Sequence, residues 1–210
     1  MIKKNWKLLL ITSIVILLPI LAGLVMWNQL PEQVPSHWNA AGEIDGWSSK
    51  PFFVFGLPLI LLGFQWLCVL VTGADPKKKN HPDKILHLVL WIIPVISVLL
   101  STVTYCVALG TQVRMEIIMP IFIGILFTII GNYLPKCKQN YTIGIKIPWT
   151  LSSEENWNKT HRFAGWLWTV CGLAIILTGF FGGFWVSLPI VLLMVAAPTL
   201  YSYCLYRKGI

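Results

Sequence analysis

Charge is what this chain has least of. Asp, Glu, Lys and Arg together make up 11% of its 210 residues, against roughly a quarter in a soluble globular protein. With 56% apolar residues and a mean hydropathy of +0.72, a water-facing surface is excluded and an integral membrane protein remains. Acidic residues are scarcer still, eight against sixteen Lys plus Arg. Ionisable groups are almost missing from the apolar segments. The polar residues there are Thr12, Ser13, Gln65, Ser97, Ser101, Thr102, Thr104, Thr128, Asn132, Thr169 and Thr178. Proton relays and cation-coupled transporters place Asp, Glu, His or Lys at membrane depth, so no such pathway is expected, and the hydroxyls read as interhelical hydrogen bonds. No polar gap exceeds about 30 residues, too short for a separate soluble domain. The five cysteines (Cys68, Cys106, Cys137, Cys171, Cys204) show no CxxC and no His at metal spacing, so neither a disulfide framework nor a zinc site is expected. They read as small buried apolar residues.

What is present is a set of six apolar runs, at about 8–29, 52–73, 85–109, 117–134, 163–183 and 185–205. Each has about the 20 residues that cross a ~30 Å hydrocarbon core. Pro19, Pro58, Pro94, Pro120, Pro189 and Pro198 lie inside them, where kinks are expected. The first run follows Lys3, Lys4 and Lys7 and resembles a signal peptide. It exceeds the h-region length of about 7–15 residues and lacks a small-x-small cleavage site, so a retained span is expected. If the N-terminus is cytosolic, fourteen Lys and Arg fall inside and two, Lys50 and Arg114, fall outside. The eight acids divide four and four, leaving the inner face net +10 and the outer face net −2. This is a strong positive-inside bias. The expected fold is therefore an all-α integral membrane protein with six transmembrane helices and both termini cytosolic. Phe180-Phe181-Gly182-Gly183-Phe184-Trp185 reads as an aromatic belt around a tight Gly-Gly turn.

Two connections carry the chemistry. The outer one, residues 30–51, is LPEQVPSHWNAAGEIDGWSSKP. Its prolines, glycines and flanking Trp38 and Trp47 predict a compact, turn-rich loop with tryptophans at the headgroup level. Glu32, Glu43 and Asp45 make it acidic, suited to a cationic peptide. His37, Glu43 and Asp45 match no metal-ligand spacing. His37 and Asp45 are expected to bond turn amides.

The inner connection, 135–162, opens where Pro135 stops the fourth helix, with Lys136 and Lys138 at headgroup level. Ile143, Ile145 and Ile147 alternate with Gly144 and Lys146 and predict either a short extended segment or an apolar strip in the interface. Ser152-x-x-Glu155 reads as a capping box with a helix from Ser153. Along that helix Trp157, His161, Gly165 and Trp168 recur on one face. The bland account is a basic amphipathic connector on anionic lipid heads.

The segment GNYLPKCKQNYTIGIKIPWTLSSEENWNKTHRFAGWLW, residues 131–168, closely resembles the signature of the SdpI family of bacterial membrane immunity proteins. LPEQVPSHWNAAGEIDGWSSK resembles the N-terminal domain that commonly accompanies it. The resemblance implies protection of the producing cell from a secreted toxin peptide. It also implies, for some members, capture of a small cytosolic DNA-binding repressor at the membrane, with no direct nucleic-acid binding by the membrane protein. It divides the chain into a two-span unit, 1–73, and a four-span unit, 74–210. Toxin-facing candidates are His37, Trp38, Glu43, Asp45 and Trp47. Cytosolic partner candidates are Asn132, Pro135, Lys136, Asn140, Gly144, Lys146, Pro148, Trp149, Thr150, Trp157, Thr160 and His161. A toxin or solute exporter is the alternative reading. Catalysis is not expected: His37 with Asp45, or His161 with Glu154, could be drawn as acid–base pairs, but the latter is two helical turns apart, and no HExxH, nucleophile elbow or paired carboxylates occur. No metal and no cofactor is expected. Gly172 and Gly179 would suit a helix dimer, though stoichiometry is not set by the sequence.

Overall fold

The structure, a computed structural model, describes residues 2–181 and 183–210. Gly182 of the expected Gly-Gly turn lies outside them, as do the side chains of Ile2 and Lys3. Among the described residues there are seven α-helices and one β-hairpin: α1 (Ile2–Val25), β1 (Gln33–Trp38), β2 (Ile44–Ser49), α2 (Leu57–Ala74), α3 (Asp83–Ala108), α4 (Met115–Tyr133), α5 (Pro148–Ser152), α6 (Glu154–Phe181) and α7 (Gly183–Arg207). Six helices are long and apolar enough to cross a membrane, and this is a multi-pass cell-membrane protein. Rows of large apolar side chains face outward on them, such as Leu67, Leu70, Leu173 and Leu177, as a lipid solvent allows. Cys68 and Cys204 also face outward, while Cys137 and Cys171 are buried. The expectation of buried cysteines fails at those two positions because a spanning helix need not hide an apolar side chain from lipid.

The chain forms two compact units, residues 1–73 with 86–114, and residues 74–85 with 115–210. In the first, α1, α2 and α3 are joined by buried polar bonds. Gln65 Nε2 donates to Thr12 Oγ1 at 2.7 Å, Ser97 Oγ to the Ile16 carbonyl at 2.9 Å, and Tyr105 to the Pro19 carbonyl at 3.1 Å. The hairpin rests on this unit through Leu30 and Val34, packed with Phe53, Val54 and Tyr105. A five-residue π-helical turn, Phe52–Gly56, leads from the hairpin into α2.

In the second unit α4, α6 and α7 pack together. The α4–α6 contact is set by glycines spaced seven apart, Gly124 and Gly131 against Gly172 and Gly165. A Cβ on Gly172 would sit 2.5 Å from Thr128 Oγ1, and one on Gly131 would sit 2.6 Å from the Thr169 amide. Small residues let two backbones touch in a membrane. Gly172 and Gly179 thus serve contacts with α4 inside the chain. The span hydroxyls divide. Thr178 and Ser187 bond between α6 and α7 at 2.6 Å, whereas Thr128 and Thr169 bond back to carbonyls four residues earlier in their own helices.

Gly172→Val is expected to destabilise the purified protein by about 1–3 kcal/mol, because the overpacked methyls face backbone. Leu173→Ala, on the outward face of the same helix, should change the detergent-unfolding midpoint little.

Candidate functional site

The connection between α4 and α6 is a folded cap. Leu134–Lys136 forms a single 3-10 turn after α4, and Pro135 sets its direction. The Pro135 ring packs where a Cβ on Gly165 would fall, 2.5 Å from its Cγ. Residues 137–147 then run without strand or helix, and Ile147 at their end is extended. Their backbone is held by side chains. The Asn140 Oδ1 accepts from the Thr142 and Ile143 amides at 2.8 and 2.7 Å. Its Nδ2 donates to the Lys138 and Ile143 carbonyls at 2.8 and 2.9 Å. Thr150 Oγ1 accepts from the Ile147 amide at 3.1 Å and lies 2.8 Å from the Ile145 carbonyl.

The helix start is corrected. Ser153 is extended, and its Oγ accepts the Asn156 amide at 3.2 Å, so the cap is Ser153 rather than Ser152. Ser152 bonds instead to the Trp149 carbonyl. The reason is the short α5, which already occupies Ser152.

Trp157 and His161 form the centre of the cap. Their rings stack at 4.0 Å between centroids, 18° apart. The Trp157 indole N–H donates to the Cys137 carbonyl at 2.7 Å. The Ile145 amide donates to His161 Nε2 at 2.9 Å, and His161 Nδ1 lies 2.9 Å from the Trp157 carbonyl. An amide can only donate and a carbonyl only accept, so the proton sits on Nδ1. Gly144 covers this pair with φ +122°, and a Cβ there would lie 2.5 Å from His161 Nε2. Only glycine fits both demands. Further along α6, Asn156 takes the Thr160 and Ser202 hydroxyls and donates to the Ser202 and Ile210 carbonyls, fastening α6 to the end of α7.

A second group, not singled out by the sequence, clasps the cap from the connector before α3. Asp75 Oδ1 accepts the Lys77 amide at 2.7 Å. Its Oδ2 accepts the Tyr141 amide and the Thr142 hydroxyl, each at 2.9 Å. The His81 Nε2 is 3.4 Å from Asp75 Oδ2, and both side chains are fully buried. Lys77 Nζ bonds to the Gln139 side chain, and Asn80 donates to the Gln139 carbonyl. The only sequence signal was the run ADPKKKNHP, which reads as a basic turn. The partners are about 60 residues away.

Burial holds His81 below its ordinary value, against the opposing pull of Asp75. For Asp75, burial alone would raise the carboxyl. The Lys77 amide, the Thr142 hydroxyl and the Tyr141 amide outweigh it, and it sits below the ordinary value. Burial pushes the Cys137 thiol up to about 11, with the Asn140 amide pulling the other way.

The partner candidates therefore separate. Asn140, Thr150, Trp157, Thr160 and His161 are buried and build the cap, with Gly144 half-buried over it. Asn132, Pro135, Lys136, Lys146 and Pro148 are exposed. Trp149 is half-buried against Tyr203 and Tyr206, with ring centroids at 5.1 and 6.3 Å. Glu154 is exposed and has no bond to His161.

The 30–51 loop is a β-hairpin, with Pro35 opposite Trp47 and irregular register around His37. Lys50 is buried and fastens its base. Its ammonium bonds to the Trp27 and Leu30 carbonyls and to Glu32, and lies 4.9 Å over the Trp27 ring. The turn amides of Ala41 and Glu43 bond to Asn39 Oδ1, not to His37 or Asp45 as expected. Those two pair with each other across the strands, Nδ1 to Oδ1 at 2.5 Å. A five-residue turn brings them together, and Asn39 is the residue placed to cap it. Glu43 bonds to the Asn39 amide. His37, Glu43, Asp45 and Trp47 are exposed, and Trp38 is half-buried.

Residues 136–202 match the SdpI/YfhL protein family, and residues 14–62 match a domain of unknown function, DUF1648. The chain is 30% identical over 209 residues to "Immunity protein SdpI" of Bacillus subtilis (strain 168), covering 98% of this chain and 97% of that one. No solved structure matches.

Asn140→Ala is expected to speed maleimide labelling of Cys137 at least tenfold, because the loop that hides the thiol loses its brace; an unchanged rate would contradict this. His81 and Asp75 both bind fewer protons folded than unfolded. The clasp is then at full strength above about pH 6.5 and weakens as pH falls through the ordinary His range and then the carboxylate range. Hydrogen-exchange protection of the Tyr141 and Thr142 amides should accordingly be lower at pH 5 than at pH 7.5, and His81→Gln should flatten that difference.

Proposed function

The chain belongs to the SdpI/YfhL protein family, and on that premise we propose that it is a membrane immunity protein protecting the producing cell from a secreted antimicrobial peptide. The observation that carries the reading is likeness along nearly the whole chain to a protein of that function. The exposed chemistry supports it. Six apolar spans with an excess of basic residues in one set of connections support a hairpin on the outer face and a cap in the cytosol. The peptide meets His37, Trp38, Glu43, Asp45 and Trp47 on an acidic hairpin held firm by Lys50. Anionic lipid heads suit the lysines around the cap.

The cap is the receptor end. Lys136, Lys146, Pro148 and Trp149 offer a basic, aromatic surface to a cytosolic DNA-binding repressor, while the buried Asn140, Thr150, Trp157, Thr160 and His161 hold its shape. Signalling requires that bound peptide favour the cap conformation that takes the partner. The protein is not an enzyme in this reading: the His37–Asp45 pair lies open to solvent on the hairpin. An exporter finds less support, since the cavity of about 220 Å³ between α2 and α3 is lined mostly by apolar side chains such as Val69, Leu86, Leu90 and Ile93.

The test is expression in a sensitive host challenged with the peptide fraction secreted by the producing strain. The full chain should raise the inhibitory dose at least tenfold. Replacing 33–49 with a Gly-Ser linker should abolish that gain, and Trp149→Ala should keep protection while losing repressor capture. No protection by the full chain would contradict the immunity reading. Capture that survives both Trp149→Ala and His161→Ala would contradict the assignment of the cap.

A further inference from the structure

The hairpin is the whole sheet, so each of its strands has one edge without a neighbour. The two edges are not equivalent. The Lys50 amide donates to the Glu32 carbonyl at 2.9 Å, which sets the phase of the ladder. Counting inward through the register, Val34–Ser48 is a hydrogen-bonded pair, while Gln33–Ser49 and Pro35–Trp47 are not. Pro35 has no N–H, and it occupies a position whose main chain faces away from β2. The outer edge of β1 is blunted by this proline and by the bulges that follow it.

β2 has no such protection. It holds no proline, and the N–H and C=O groups of Trp47 and Ser49 face away from β1. Among the described residues neither takes a backbone partner outside the hairpin. The side chains of Asp45, Trp47 and Ser49 are all exposed and alternate with half-buried Ile44, Gly46 and Ser48. The Trp47 indole is 56% exposed, a bare apolar platform. Asp45 and Glu43 supply negative charge at one end of the strand. At the hairpin base the Lys50 ammonium is buried and already paired with Glu32, so it does not offset them.

We infer that the outer edge of β2 is a docking strand, on which an extended, cationic segment of the secreted peptide adds as a third β-strand. The inference rests on the immunity reading and gives it a binding mode. Main-chain bonds at Trp47 and Ser49 hold the segment, an apolar side chain lies on the Trp47 indole, and a basic side chain meets Asp45 and Glu43. Adding a strand to an exposed edge is a general route to peptide capture. A third strand also stabilises an isolated hairpin, which is marginal with two. Lys50 pre-positions the edge, so little ordering is needed on binding.

The experiment is hydrogen exchange on the full chain in lipid nanodiscs, with and without the secreted peptide fraction of the producing strain. Without peptide, the Trp47 and Ser49 amides should exchange quickly and the Ser48 amide slowly. With peptide retained on the discs, the Trp47 and Ser49 amides should slow at least tenfold. Retention without slowing at these two amides overturns the docking strand and leaves the immunity reading standing. Absence of retention overturns both. In the sensitive host, Ser49→Pro removes one outward N–H and leaves the ladder to β1 intact. It should lose at least tenfold in protection at normal membrane levels, whereas Ser49→Ala should lose none. Equal protection by the two variants counts against the edge.

Discussion

The close approach of α4 and α6 carries the cap that joins them. Four glycines remove the side chains that would hold the two helices apart, so that main chain approaches main chain at Gly124, Gly131, Gly165 and Gly172. That approach fixes where the chain leaves α4 and where it re-enters α6. Pro135 then packs on Gly165, and the residues between must close a short gap without regular structure. Backbone groups that are buried without helix or strand need side-chain partners. Asn140, Gln139, Thr150, Trp157 and His161 are those partners. The polar side chains of the cap are buried because they replace secondary structure.

In the other unit the same problem has a different solution. The hairpin has two strands, too few to be stable alone in water. It is secured by Val34 on the core of its unit and by a buried ammonium. Lys50 takes the Trp27 and Leu30 carbonyls in the turns beyond α1, a carboxylate from Glu32 and the face of Trp27. Three acceptors around one ammonium match its three N–H donors. A lysine that counts as one of only two outer cations in the sequence is thereby withdrawn from the surface, and the hairpin presents its acids.

Much of this was legible from the chain. Six apolar runs gave six spans, because length and hydropathy decide spanning almost alone. The face formed by Trp157, His161 and Gly165 followed from helical spacing and is buried as one surface. The hairpin was not legible. Pro35, Gly46 and the bulges around His37 break the alternation that marks strands, and Asn39 rather than an Asx-Gly pair makes the turn. The cap position was one residue off because Ser152 and Ser153 are equivalent in a pattern, and only the preceding short helix chooses between them. The Asp75–His81 clasp could not be found locally, since its partners lie beyond residue 138. Burial also redistributed the candidate residues: the SdpI-like motif mixes side chains that build the cap with those that face outward, and a motif alone does not separate them.

The proposed function assigns opposite charge to two surfaces, an acidic hairpin for a peptide and a basic cap for a partner. Sidedness is the claim on which both assignments stand. The most direct measurement is labelling of intact cells with a membrane-impermeant maleimide, in a background without native cysteines, comparing Ser36→Cys on the hairpin with Lys146→Cys on the cap. The account requires Ser36→Cys to label in intact cells and Lys146→Cys to label only after permeabilisation. Labelling of Lys146→Cys from the medium would contradict it.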